Sequence, residues 1–123
     1  MKRYTKEHQW IELDASGTAT IGITQFAADE LGELSYVELP QVGKSVNGGD
    51  ALCAVESVKA ASDVFMPVTG TVCEVNQALE QTPELVNDQP EAAGWICKAS
   101  QVSTDAVNAL MDEAAYKAFV SGK

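Results

Sequence analysis

Two short apolar runs that resemble each other constrain the fold more than anything else in the chain. Sliding the sequence by about twenty residues sets Leu52 on Val72, Cys53 on Cys73 and Val55 on Val75, with Asp50 and Gly70 each ending a turn. Between the runs lies Val55 to Phe65, with Lys59 at its middle. Turn signals mark the outer ends: Asn47-Gly48-Gly49-Asp50 before and Pro67-Val68-Thr69-Gly70 after. Lys59 therefore falls at the tip of a hairpin spanning about 46–76. Two matched strand units related by a pseudo-twofold, meeting at a lysine, predict a small sandwich. A lysine on such a tip is solvated and protonated, a poor nucleophile until a partner enzyme activates the other reactant. On position alone it reads as an ordinary surface lysine.

Length and charge fix the class of partner. The 123 residues suit one domain over 1–123, which buries roughly 60–70% of its unfolded surface. With Lys+Arg 8 against Asp+Glu 18 the formal charge is -10, so a phosphate backbone is repelled and no nucleic-acid partner is expected. The same charge favours partners with basic docking surfaces. Cys53, Cys73 and Cys97 form no C-x-x-C pair and each falls in a run that reads as strand, so they are expected as small buried hydrophobes in a reducing compartment. A structural zinc needs about four ligands, and the sole histidine is His8, so no metal is expected. The first ten residues lack an apolar core and no run approaches ~18 apolar residues, so neither a secretory signal nor a membrane span is expected. A chain that starts at Met1 in the cytoplasm is expected, or a mitochondrial one only if a presequence has been removed.

In order along the chain, Gln9–Leu13 and Thr18–Ile23 read as a hairpin turned by Asp14-Ala15-Ser16-Gly17. Thr24 caps a short helix over Gln25–Leu31, stopped by Gly32 and held by packing of Phe26 and Leu31 as a lid on the sheet. Ser35–Leu39 is a strand that Pro40 ends, and Val46 re-enters after a turn. The segment 76–90 carries Pro83, Asn87, Asp88 and Pro90 and reads as loop with at most one helical turn around Glu84–Val86. Such a long loop points to function or partner contact. Trp95–Ala99 returns as a strand. The tail, about 104–120, is helical with a break at Asp112, capped by Thr104 or Ser103 and by Asp112, and lays Val107, Leu110 and Met111 on its own sheet.

Glu56-Ser57-Val58-Lys59-Ala60, followed by Ser62-Asp63, resembles the lipoyl-lysine loop of the glycine cleavage system H protein family. His8-Gln9-Trp10, Gly22-Ile23-Thr24, Val37-Glu38-Leu39-Pro40, Gly70, Glu74-Val75-Asn76, Pro83-Glu84-Leu85-Val86-Asn87 and Gly94-Trp95 match the same family in order along nearly the whole chain. The resemblance implies a mainly β fold, the barrel-sandwich hybrid of lipoyl and biotinyl carriers, with a short helix after the first hairpin and C-terminal helices. It implies lipoate joined by an amide to Lys59. It implies a carrier and not an enzyme, taking the aminomethyl group of glycine from a pyridoxal-phosphate glycine decarboxylase to a tetrahydrofolate-dependent aminomethyltransferase. Reoxidation by dihydrolipoamide dehydrogenase and attachment by lipoylating enzymes complete the set of partners, and a monomer is expected. In the family, polar groups near the His-Glu-Trp motif and the Asp after the lysine hold the loaded amine. The matching positions here are Gln9 and Asp63, and Gln9 departs from the commoner glutamate, so it supplies no opposite charge. His8 either lines the arm's groove or packs beside Trp10 with one nitrogen bonded to backbone. Glu56 and Asp63 serve recognition by the lipoylating enzyme or are solvated turn charges, and Ser57 belongs to the same loop motif.

Other classes fit less well. Biotin carriers have Met on both sides of their lysine, where this chain has Val58 and Ala60. Lipoyl domains of acyltransferases lack counterparts to the Trp10 hairpin and the C-terminal helices. An H-like protein that relays lipoyl groups to other enzymes shares the motifs, and a cofactor-free interaction module would leave Lys59 unmodified. A free-standing enzyme is disfavoured, because no nucleophile, base and orienting group stand together.

Overall fold

The alternation around Trp10 folds as a hairpin of β2 (Gln9–Leu13) and β3 (Ala19–Ile23), pairing Ile11 with Ile21 and Trp10 with Gly22. The computed structural model describes residues 2–122. A strand not foreseen, β1 (Lys2–Tyr4), adds to the outside of β2 with Tyr4 opposite Trp10. Then follow α1 (Gln25–Leu31), β4 (Leu34–Glu38), β5 (Ser45–Val46), β6 (Ala51–Ser57), β7 (Ala61–Phe65) and β8 (Gly70–Val75). After them come α2 (Ala78–Gln81), α3 (Leu85–Asp88), β9 (Cys97–Ser100), α4 (Thr104–Asn108) and α5 (Glu113–Ser121). The strands form two antiparallel sheets, six-stranded in the order β1-β2-β3-β9-β8-β5 and three-stranded in the order β4-β6-β7. This is the expected mainly β architecture with helices at the C-terminal end.

The two turns that flank the lysine hairpin lie against each other. Gly48 N–H donates to Thr69 Oγ1 at 2.9 Å, Gly49 N–H to Met66 O at 2.8 Å and Met66 N–H to Asp50 O at 2.8 Å. The similarity between the units stops at burial. Leu52 and Val72 are both in the core, and so is Cys53, but Cys73 is exposed. The β8–β9 register shifts between Val72 and Glu74, so the bulge turns Cys73 outward and corrects the reading of three buried thiols.

Inward residues of both sheets, including Ile11, Ile21, Val37, Val55, Val64 and Val72, form one core with Ile96, which directly precedes β9. Thr24 caps α1 as expected, its hydroxyl accepting from Ala27 N–H at 3.3 Å, and Gly32 ends it at φ 76°. Ala28 is the buried residue of this helix; Leu31 is only partly buried on the core and Phe26 packs on His8 instead. The segment 76–90 holds two helical turns where one was expected, because Leu79 and Val86 are fully buried. Burial of side chains of that size contributes about 1.5–3 kcal/mol each, which overrides the local turn signals. Ser103 caps α4 and Asp112 caps α5, with the break between them pinned by Tyr4 N–H to Met111 O at 2.8 Å. Val107 enters the main core, while Tyr116 stacks on Tyr4 at 4.7 Å in a second cluster with Trp10. The C-terminal helices therefore cover the chain's own sheet.

The core contains groups that resist ionisation. Burial, helped by Glu38 and Asp63, pushes the Cys53 thiol from 9.0 up to about 12, and burial also raises Cys97. Burial with Glu91 and Glu113 nearby lifts Tyr4 from 10.0 to about 12. The folded chain keeps these protons while the unfolded chain sheds them above about pH 9. Stability is then fully present below that pH and falls as pH rises toward 12, at up to about 1.4 kcal/mol per pH unit for a single buried thiol. Melting temperatures at pH 8 and pH 11 are expected to differ by several degrees, the lower value at pH 11; equal values would show that these groups ionise freely in the fold.

Candidate functional site

The lysine turn is built from the ends of β6 and β7, paired Val55 with Ser62 and Glu56 with Ala61. Ser57 closes it. Its Oγ accepts from Lys59 N–H and from Ala60 N–H, each at 3.2 Å, while its own N–H donates to Ala60 O at 2.8 Å. A short hydroxyl side chain that satisfies two turn amides fixes the loop without apolar packing. Val58 at the tip is 84% exposed and Lys59 beside it is also exposed, with no carboxylate in ion-pair range among the described residues.

Glu56 and Asp63 both project to solvent from the three-stranded sheet, Glu56 opposite Tyr36 and Asp63 opposite Ala54. The lysine side chain itself lies along Gly32 at the end of α1. A β-carbon at Gly32 would sit 3.5 Å from Lys59 Cε and 3.7 Å from its Nζ. Asn87 of α3 holds that turn with one amide, donating to Gly32 O at 2.7 Å and accepting from Leu34 N–H at 2.8 Å. Neither Gly32 nor Asn87 stood out as part of the site in the sequence, where one is a helix stop and the other a turn residue.

His8 and Gln9 are placed on the other hairpin. His8, at φ 69°, has Nδ1 2.7 Å from the Tyr116 hydroxyl, which also bonds Thr24 Oγ1 at 2.8 Å. Its ring faces Phe26 at 4.5 Å, and the Tyr116 hydroxyl that Nδ1 meets belongs to α5. Gln9 is buried, with Oε1 accepting from Thr5 Oγ1 at 3.0 Å and Nε2 donating to Glu7 O at 2.8 Å. Its side-chain bonds thus close within its own turn. A cleft of 270 Å³ opens near that turn, bordered by Thr5, Glu7, Gly49, Met66 and Leu110. Among the described residues no group of three or more His, Cys, Asp or Glu is placed to hold a metal ion, and no helix is long and apolar enough to cross a membrane.

The arrangement, an exposed lysine on a turn closed by Ser57, suits a carrier. Comparison with known proteins agrees over the whole chain. The family model for the glycine cleavage H-protein matches residues 2–123. The chain belongs to the glycine cleavage H-protein family. It is 54% identical over 119 residues to the glycine cleavage system H protein of Phenylobacterium zucineum, covering 97% of this chain and 98% of that protein. The Escherichia coli protein of the same name is 47% identical over 118 residues, covering 96% and 92%. The crystal structure of the H protein from Mycobacterium marinum superposes with a TM-score of 0.87 at 32% identity, covering 98% of this chain and 96% of that one. The barrel-sandwich reading therefore holds.

As a member of the H-protein family the chain is a non-catalytic carrier of covalently attached lipoate. It shuttles the intermediates of glycine cleavage between the glycine decarboxylase, the aminomethyltransferase and dihydrolipoamide dehydrogenase. Membership in this family favours the shuttle reading over the lipoyl relay.

Proposed function

We propose that Lys59 is the lipoyl attachment residue, which makes this chain a shuttle that presents one arm to several active sites. The observation that carries the reading is the Ser57-fixed turn, which holds an exposed lysine, in no ion pair among the described residues, at the tip of a two-stranded hairpin. Amide formation there removes one positive charge, taking the formal total from -10 to -11. Bound lipoate supplies a dithiolane that accepts the aminomethyl group. The chain's own residues supply position: Ser57 sets the turn, and Glu56 and Asp63 offer negative charge to basic rims on the lipoylating enzymes. In this reading His8 and Gln9 act through the shape of their hairpin, because the Gln9 amide is already satisfied at both ends. The carrier works as one unit over 1–123, as a monomer, in the cytoplasm.

Peptide mapping after incubation with lipoate and a lipoylating enzyme tests the attachment. From Ser45 to Cys97 the only basic residue is Lys59, so trypsin cuts the unmodified chain at that point and leaves one long peptide from the modified chain. The long peptide, heavier by one lipoyl group, is the expected result. Modification mapped to Lys44 or Lys98 would overturn the assignment.

A further inference from the structure

The geometry points to Asn87 as a positioning residue for the arm: its amide holds the Gly32 turn as a resting surface for the Lys59 side chain, and so restrains the lysine before it is handed to an enzyme. This deepens, and rests on, the assignment of Lys59 as the attachment residue. Three observations carry it. First, the Lys59 methylenes and amine lie over Gly32, where a β-carbon would come within 3.5 Å of Cε, 3.7 Å of Nζ and 3.9 Å of Cδ. The absence of a side chain leaves a bare strip of backbone, and the backbone there has φ 76°, which only glycine adopts without strain.

Second, that strip is fixed from one side by a single group. The carbonyl of Gly32 and the N–H of Leu34 point the same way, as in a strand edge, and the Asn87 amide meets both at 2.7 and 2.8 Å. No other residue type of this size carries a donor and an acceptor on one plane; aspartate only accepts and leucine does neither. Leu34 then pairs with Ser57, so the same clamp sits next to the strand that carries the lysine turn.

Third, Asn87 is presented from a rigid support. Val86 beside it is fully buried, α3 lies against α1, and Gly94 N–H donates to Gln89 O at 2.8 Å to close the segment behind it. The carbonyl end of α1 next to the amine also attracts a cation, and no other basic residue occupies its last turn. The long segment 76–90 is thereby tied to the arm, which gives it a part in the carrier's work beyond closing the sheet.

A lysine parked on the body must leave it before entering a lipoylating enzyme, so the parked fraction lowers apparent affinity without touching chemistry. Asn87→Ala is expected to weaken the nuclear Overhauser contact between the Lys59 Cε protons and the Gly32 Cα protons in the unmodified protein. The weakening is expected to be up to about fivefold, the equilibrium factor of one net hydrogen bond. In the same variant the KM for lipoylation falls, by at most the same factor, while kcat is unchanged; damage to the fold would raise KM instead. Asn87→Asp, which keeps acceptance from Leu34 N–H and loses donation to Gly32 O, shifts both readouts in the same direction and serves if the alanine variant does not fold. An unchanged contact, or an unchanged or raised KM in a folded variant, overturns the proposal. Absence of lipoylation at Lys59 in the unaltered chain would instead sink the attachment assignment, and the Overhauser contact would still report on Asn87.

Discussion

Replacing Lys59 by arginine is expected to abolish lipoylation and reduce glycine-dependent turnover to the level seen without carrier, with the fold intact. Arginine keeps the length and the positive charge, so the turn closed by Ser57 and the electrostatics of the hairpin survive. The guanidinium stays protonated and does not form the amide. Because the residue is exposed and makes no ion pair among the described residues, the melting temperature should stay within about 2 °C of the parent, the range of ordinary surface substitutions. The measurement is intact mass after incubation with lipoate and a lipoylating enzyme, followed by reconstitution with the decarboxylase, the aminomethyltransferase and the dehydrogenase. Turnover by the arginine variant would place the functional arm on another lysine.

The largest effect on stability is expected at Gly94. An added β-carbon would sit 2.5 Å from Leu85 O, 2.8 Å from Gln89 O and 2.8 Å from Val86 Cα, all of them backbone atoms with no flexible end to give way. Gly94→Ala therefore pushes α3 off the strand entry at Trp95. Overpacking of this kind costs about 3 kcal/mol or more, a large share of the roughly 5–15 kcal/mol that holds a domain of this size. A fall in melting temperature of roughly 10 °C or more follows, read by circular dichroism. A melting temperature equal to the parent's would mean that the loop relaxes freely, and that the support behind Asn87 is softer than its packing implies.

Elements whose signals are local were legible in the sequence. Thr24 and Gly32 bracket α1, Asp112 caps α5, and the hairpin at Lys59 stands where the turn residues put it. What escaped depended on contacts between distant segments. β1 has three residues and no periodicity of its own; it is a strand because Tyr4 meets Trp10 across the ladder and Met111 at the helix break. Cys73 looked like the partner of Cys53 because the repeat aligns them, yet a bulge is invisible to an alignment of apolar residues. The second helical turn of segment 76–90 is made by burial of Leu79, which no local rule reports. Lys59, Ser57, Glu56 and Asp63, the proposed attachment loop, were legible as one hairpin. The approach of Gly32 to the lysine, and the Asn87 amide behind it, join residues 27 and 28 positions away along the chain and could only be seen in the fold.

The place of β9 has a consequence for how the chain assembles. β9 lies between β3 and β8, matching Ala99 to Ala19 across most of the sequence, so the larger sheet is incomplete until nearly the whole polypeptide is available. The hairpin of β6 and β7 closes over only a few residues and needs none of this. Long-range pairing is slow because loop-closure entropy is lost before contacts compensate for it. The hairpin that carries Lys59 is thus expected to form early in folding, with insertion of the last strand as the slow step.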